Sequence, residues 1–344
     1  MHEPLATSEV EGVPTITTVA RLANVSVASA SRVLNGIRTS PATLERVTAA
    51  AESVGYVPNA AARSLRSRRT GQIAFAMPDV GNPVYTTMVG SIQEVARVAG
   101  VRLLLHSTGA DPDDELALIR DLRHRYVDGL ILASLHLTEA HAAQLSVSAA
   151  PVVVIGRPTV GTSVDTVRAY SRRGAADAVR HLHAVGRTRI AFVNGPTHTV
   201  SGSSRRRGYL DGLRSCGLER DDELIEVAAD FMVEPGRRAA ELLLARVRPD
   251  AILCANDLLA VGVLGALRDA QLDVPGDVAL VGMDNTDLSG LTWPALTTVD
   301  LGSFERARIA AELLLSRIDE PGREVQVVGV EPRLVVRASS GAIG

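Results

Sequence analysis

From Gln72 onward the chain alternates short apolar runs with longer helical stretches, and nothing else in the sequence limits the fold as strongly. The runs are "QIAFAMP", "VRLLLHS", "DGLILAS", "PVVVIG", "RIAFVNG", "AILCAN" and "VALVGMD". Each has the length of a strand. Apolar spacing between them predicts helices over 84–99, 113–125, 175–185, 205–214, 236–247 and 258–270. Strands covered on both faces by crossover helices read as continuous apolar runs, so the expected architecture is α/β with parallel, doubly wound sheets. There are more such units than one sheet usually takes. Two lobes are expected, the first at about 71–162 and 296–325, the second at about 163–295 and 326–344.

In sheets of this kind ligands sit outside the carboxyl ends of the strands. Those ends carry Asp79 and Asn82, His106 and Ser107, Arg157, Asn194, Asn256 and Asp257, and Asp284 and Asn285. Two readings stand side by side: each residue caps the following helix, or the set lines a polar cleft between the lobes. Catalytic machinery is not visible. There is no G-x-G-x-x-G, G-x-S-x-G or H-E-x-x-H, and all 36 basic residues are Arg, which excludes a lysine Schiff base and the P-loop lysine. His181 and His183, two apart in a predicted helix, point to different faces, so no metal site is expected, and no cofactor either. Cys216 and Cys254 are expected as buried small hydrophobes. The apolar runs fall far short of the roughly 18 residues of a membrane span. The first residues lack a basic start followed by an apolar core. A cytoplasmic protein is expected.

The first 70 residues differ in kind. They hold eight Arg against five Glu, a balance of +3, which leaves 28 basic and 34 acidic residues and a balance of −6 for the rest of the net −3 chain. A basic head on an acidic body suggests a polyanion partner. Residues 1–14 read as a frayed tail. Three short helices follow: one capped by Thr17 or Thr18, one capped by Ser26 and ended by Asn35 and Gly36, and one opened by Ser40 and Pro41 that holds Leu44, Val47 and Ala51. Asn24 suits the left-handed conformation of a tight turn between the first two. Within the second helix Ala30, Val33 and Leu34 share the inward stripe. That leaves Val27, Ala28, Ser31 and Arg32 facing out. A turn this short between two helices has the geometry of a helix-turn-helix, here spanning 15–58. Beyond Pro58, "AAARSLR" reads as a short helix, marginal alone, within a linker at 59–70.

"TVARLANVSVASASRVLNG" followed by "SPATLERVTAAAESVGYVPNAAARSLRS" resembles the DNA-binding headpiece of LacI/GalR-type transcriptional regulators. "DVGNPVY", "FVNGP", "RRRGYLDGL", "AILCANDLLAVGVLGAL", "DVALVGMDN" and "PALTTVD" are similar, in order, to that family's effector-binding core. The resemblance implies a two-lobed core of the periplasmic-binding-protein-like type I fold behind an all-α helix-turn-helix domain. It also implies a homodimer on a near-palindromic double-stranded operator, most simply as a repressor, and a small effector that closes the lobes and changes DNA affinity. The effector is expected to be sugar-like, with a purine or nucleoside as the alternative.

Carried over position by position, the resemblance puts Val27, Ala28 and Arg32 at base-reading places and Ser26, Ser29 and Asn35 at phosphates. Thr17, Ser31, Tyr56, Asn59 and Ala62 complete the DNA-contact set, with Leu65 as a minor-groove wedge. Arg63, Arg66, Arg68 and Arg69 would add phosphate contacts. It places Asp79, Tyr85, Arg157, Ser201, Arg205, Phe231, Asn256 and Asp284 at the effector, with Trp293 a further stacking candidate. Departures from the family's pattern are Asn24 for the turn glycine, Ser29 and Ala30 for Thr and Val, Thr18 for Asp, and Gly156 where some sugar-responsive members carry an Asp.

Overall fold

The computed structural model describes residues 14–57, 69–157 and 162–341. The chain divides into two compact units, Met1–Thr70 and Gly71–Gly344.

In the first unit lie helices α1 (Ile16–Leu22), α2 (Val27–Leu34) and α3 (Pro41–Ser53). Thr15, rather than Thr17 or Thr18, caps α1. Its hydroxyl accepts from the Thr18 amide while the Thr18 hydroxyl accepts from the Thr15 amide, a reciprocal capping box. A cap must precede the first helical residue, and Ile16 is already helical. Asn24 adopts φ 49°, in the left-handed region, which lets the Val25 amide return to the Ala20 carbonyl at 3.0 Å. Val19, Ala20, Ala23, Ala30, Val33, Val47, Ala50 and Ala51 form the core between the three helices. Leu44, one turn before Val47, is 51% exposed, and α3 packs through Val47, Ala50 and Ala51.

The second unit holds two six-stranded sheets. The seven apolar runs form β1 (Gln72–Met77), β2 (Arg102–Ser107), β3 (Gly129–Ala133), β4 (Val152–Ile155), β6 (Ile190–Asn194), β8 (Ala251–Cys254) and β9 (Ala279–Met283). Five further strands are β5 (Asp165–Ala169), β7 (Ile225–Val227), β10 (Thr297–Asp300), β11 (Val327–Val330) and β12 (Arg333–Val335). The helices are α4 (Pro83–Val98), α5 (Pro112–Asp121), α6 (Glu139–Ser146), α7 (Ser171–Ala184), α8 (Val200–Ser215), α9 (Val233–Arg246), α10 (Asp257–Asp269), α11 (Asp287–Leu291) and α12 (Ser303–Asp319). The sheet orders are β11-β5-β4-β3-β1-β2 and β12-β10-β9-β8-β6-β7. All pairs are parallel except β10 with β12.

These orders move the expected lobe boundaries. Asp165–Ala169 and Val327–Val330 pair within the first sheet, and Thr297–Asp300 within the second. The chain therefore crosses between lobes at about Tyr170, Leu301 and Glu331, each several residues later than expected. β5 escaped notice because an acid opens it and an arginine sits near its end. Asp165 is 1% exposed and is satisfied only in three dimensions: it accepts from Arg317 Nε at 3.0 Å, Arg323 Nη2 at 2.7 Å and the Gln326 amide at 2.8 Å.

Each lobe has its own apolar centre. Phe75, Met77, Ile131 and Val153 pack under α4 and α12 in the first, and Phe192, Tyr209, Leu253 and Val281 in the second. Cys254 is buried as expected, whereas Cys216 is only half-buried. Among the described residues no helix is long and apolar enough to cross a membrane. Helices α9 and α10 touch backbone to backbone at Gly262, where an added Cβ would lie 2.0 Å from the Val233 carbonyl oxygen. Gly to Ala inside a helix ordinarily stabilises. Here Gly262→Ala should instead cost about 1–3 kcal/mol through overpacking, read as a lower denaturant midpoint; an unchanged or higher midpoint would contradict the close approach.

Candidate functional site

The helix α2 presents two chemically distinct faces. Ala30 and Val33 are buried and Leu34 half-buried, while Val27, Ala28 and Arg32 are exposed. The Ser26 hydroxyl caps the helix by accepting from the Ser29 amide at 3.1 Å. Asn35 folds back on the helix end, donating Nδ2 to the Ser31 carbonyl at 2.7 Å. Thr17 is exposed at the start of α1, and Tyr56 packs half-buried against the three-helix core. The result is an outward patch of methyl groups around one guanidinium with no acid beside it on α2. Asn59, Ala62 and Leu65, with Arg63, Arg66 and Arg68, lie outside the described residues.

In the second unit the carboxyl ends of both sheets converge on a cavity of about 370 Å³. Asp79 follows β1, Ser107 ends β2, Ser134 follows β3 and Gly156 follows β4. From the other lobe come Ser201 and Arg205 on α8, Phe231 after β7, Asn256 after β8 and Asp284 after β9. Tyr85 enters from α4. Seven of the eight expected effector residues thus line one space: Asp79, Tyr85, Ser201, Arg205, Phe231, Asn256 and Asp284. Arg157 is not among them, since it is exposed and faces an adjoining cleft. Trp293 is 97% exposed and stands apart from the cavity, because the loop carrying it turns outward.

Arg205 and Asp284 meet each other across the cavity floor. Arg205 Nη2 donates to Asp284 Oδ1 at 3.0 Å, Nη1 donates to the Ala255 carbonyl, and both side chains are over nine-tenths buried. Burial pushes the Asp284 carboxyl up more than Arg205 and Arg306 pull it down. Asp284 also holds φ 109°, an unfavourable conformation for a residue with a side chain, costing on the order of 1–3 kcal/mol. The Asp284 amide, bonded to the Val299 carbonyl at 2.8 Å, helps hold it there. Phe231 reaches the cavity because residue 195 is glycine: a Cβ there would lie 2.2 Å from the ring. The Arg205 guanidinium stands 5.9 Å from that ring's centre. Burial pushes the Tyr85 hydroxyl well up, so it stays a neutral donor and acceptor.

The capping and cleft readings of the strand ends are both realised, often by one residue. Asn256 caps α10 by accepting from the Leu259 amide at 2.9 Å and donates Nδ2 to the Phe231 carbonyl at 2.9 Å, while still lining the cavity. Asn82 caps α4 and Asp79 accepts from the Gly81 amide at 2.7 Å. Asn194, Asp257 and Asn285 turn away. Asp257 accepts from the Thr286 amide at 2.7 Å and from the Thr298 hydroxyl at 2.6 Å, and His106 bonds Asp114 at 2.8 Å. His181 is buried against the Ser340 hydroxyl at 2.8 Å.

Several cavity residues escaped the sequence reading, Asp230 and Arg306 among the charged ones. Arg306 is 9% exposed, donates Nε to the Leu301 carbonyl at 3.0 Å and is pulled down in pKa by burial. Its readable signal is a cation on the apolar stripe Arg306, Ala307, Ala310, Leu314 of α12. Across the cavity mouth, the Val200 amide of one lobe donates to the Leu135 carbonyl of the other at 2.9 Å. The rings of His136 and His198 meet edge-on beside it at 6.4 Å. Paired acid, guanidinium, amide and phenol groups with one aromatic face suit a ligand rich in hydroxyls.

Known proteins resemble the chain along nearly all its length. Residues 15–59 match the model for bacterial regulatory proteins of the lacI family, and residues 179–340 match a periplasmic binding protein-like domain. Catabolite control protein A of Priestia megaterium is 32% identical over 95% of this chain and 99% of its own. The ribose operon repressor of Escherichia coli strain K12 is also 32% identical, over 95% of this chain and 99% of its own. Among solved structures, a transcriptional regulator CelR–cellobiose complex superposes with a TM-score of 0.73 at 32% identity, covering 95% of this chain and 99% of that one. A lac repressor dimer bound to operator and an anti-inducer shares the fold, with a TM-score of 0.85 at 24% identity over 96% of this chain and all of that one. From the outward-facing second helix to the cavity between two largely parallel sheets, and by kinship over about 95% of its length, this chain belongs to the lacI family of bacterial transcription regulators.

Proposed function

We propose that the protein is a cytoplasmic repressor that binds a near-palindromic operator as a homodimer and is switched by a sugar-like ligand in the cavity, acting by binding and not by catalysis. The observation that carries the ligand reading is the buried Arg205–Asp284 pair at a cavity walled by both lobes. Its two charges each retain hydrogen-bonding capacity for hydroxyls. Sugar is favoured over a nucleoside because the lining offers two aromatic residues, Tyr85 and Phe231, and many polar ones. Two relatives point the same way by name: one is a ribose operon repressor and the other a cellobiose complex. A ligand that prefers one arrangement of the lobes changes DNA affinity by linkage, reciprocally.

On the DNA side, small residues let α2 approach the major groove. Arg32 can donate two hydrogen bonds to a guanine, and Val27 and Ala28 can pack on thymine methyls. Arg32→Ala should reduce discrimination at one guanine per half-site by about 1–3 kcal/mol. Mobility shifts on an operator and on its single-base variants read this; equal affinity for every sequence before and after the substitution would refute the assignment. Deleting residues 15–69 should abolish specific DNA binding altogether, and specific binding that survived the deletion would overturn the repressor reading. Sedimentation of the full chain should show a dimer.

A further inference from the structure

A second cleft, of about 880 Å³, adjoins the first cavity, and eight arginines face it against two carboxylates. Gly156, Val200, Ser201, Arg205 and Arg306 wall both spaces. Tyr170, Leu301 and Glu331 also line it, so it lies where the chain passes between the lobes.

Ion pairing accounts for only part of this charge. Arg172 pairs with Asp211 at 2.5 Å, Arg173 with Glu331 at 2.8 Å, Arg180 with Asp177, and Arg205 with Asp284. Arg157, Arg168 and Arg207 have no carboxylate partner among the described residues. A merely solvated face looks different in this protein. On the outer faces of α9 and α12, arginines are interleaved with acids, as in Arg238 with Glu234 and Arg308 with Glu305 and Glu312. The cleft also receives two helix amino ends. α7 begins beside it with no side-chain cap from Tyr170 and no acid in its first turn, and Val200 and Ser201 open α8. At α7 the uncapped amino end and the helix dipole favour an anion, whereas α8 is capped by the Thr199 hydroxyl. Arg205, itself buried, leaves its Nε without a partner among the described residues.

We propose that this cleft binds a phosphoryl group through Arg168, Arg207 and the amino end of α7, either as free phosphate or as the ester of the ligand in the adjoining cavity. Guanidinium forks suit a phosphate dianion geometrically and electrostatically. An anion held by Arg168 of one lobe and Arg207 of the other fixes the angle between them. The ester form rests on the ligand reading above, whereas the free-anion form does not.

Titration calorimetry of the full chain with inorganic phosphate, D-ribose and D-ribose 5-phosphate, at constant ionic strength, tests the proposal. Arg168→Gln and Arg207→Gln change exposed side chains and should each weaken binding of the phosphate probes about tenfold, with ribose unaffected. Ribose 5-phosphate binding at least tenfold tighter than ribose or phosphate alone identifies the ester as the source. Phosphate binding that is indifferent to ribose identifies the free anion. No millimolar binding of either phosphate probe, or binding undiminished in the double variant, overturns the proposal. Phosphate binding with no response to any polyol would count against the sugar reading and leave this site standing.

Discussion

Arg205→Ala should lower the stability of the two-lobed unit by about 3–5 kcal/mol, because it leaves the Asp284 carboxylate buried without its partner. The Arg205 side chain is 9% exposed and that of Asp284 7%, so solvent offers little screening. One further bond goes with the guanidinium, since its Nη1 donates to the Ala255 carbonyl at the start of the loop that carries Asn256. Chemical denaturation measures the loss. A double-mutant cycle with Asp284→Asn should show strong coupling, the double variant being less destabilised than the two single losses combined. The same variant should lose any ligand-induced rise in melting temperature. A loss under about 1 kcal/mol, the range of an exposed pair, would show that the cavity solvates the pair well and would remove it from the centre of the ligand reading.

Glu115 should contribute a fall in stability as pH rises from about 4.5 to about 7, and Glu115→Gln should remove that share of the pH dependence. Glu115 is 2% exposed behind the cavity wall, and burial pushes its carboxyl from an ordinary 4.5 up to about 7. A folded-state pKa above the unfolded one means that the folded state holds the proton longer. The contribution is therefore complete below the unfolded value and lost as pH rises through the folded one. At 1.36 kcal/mol per unit the swing is about 3 kcal/mol at most. His141 opposes it: burial lowers its pKa from 6.5, and its contribution is lost as pH falls. The two groups lie close, His141 Nε2 being 3.3 Å from Glu115 Oε2. Asp257, which burial also pushes up to about 7, adds to the same slope, so the Glu115 share is the difference between the two proteins. Denaturation of both proteins between pH 5 and 8 should find Glu115→Gln the more stable above pH 7. Parallel curves would place the proton elsewhere.

Much of this molecule could be read from its residues. All seven apolar runs are strands, because burial on both faces leaves an unbroken apolar signature that periodicity alone detects. The headpiece was legible through its caps, Ser26 and Ser40, and through Asn24, whose left-handed backbone the turn demands. What failed to show were elements stabilised at a distance. β5 carries a buried acid satisfied by two arginines from the far end of the chain, and β11 and β12 are short and partly exposed. In the cavity, strand-end polarity found Asp79, Asn82, Ser107, Asn256 and Asp284, the family resemblance supplied Tyr85, Ser201, Arg205 and Phe231, and neither pointed to Arg306 on α12. Arg157 and Trp293 went astray for the opposite reason: their residue types suit a ligand, and only the path of the loop turns them elsewhere.

The three crossings between lobes impose an order on the birth of this protein. The second sheet needs little beyond residue 300, and only β12 arrives later, as its edge. The first sheet, although it begins earlier in the chain, has to wait for the end: β11 closes it by pairing Val327 with Thr166, about 160 residues back. α12, which covers β3, β4 and β5, also arrives after the second lobe has been made. On a ribosome the amino-proximal lobe is thus the last to be completed, with the β5 edge and the apolar faces of the sheet uncovered for most of synthesis. Long-range closure of this kind is slow. A chain cut just before β11 would keep the second lobe's sheet almost whole while leaving the first with a bare edge, so truncation near residue 325 should produce aggregation rather than a smaller soluble core.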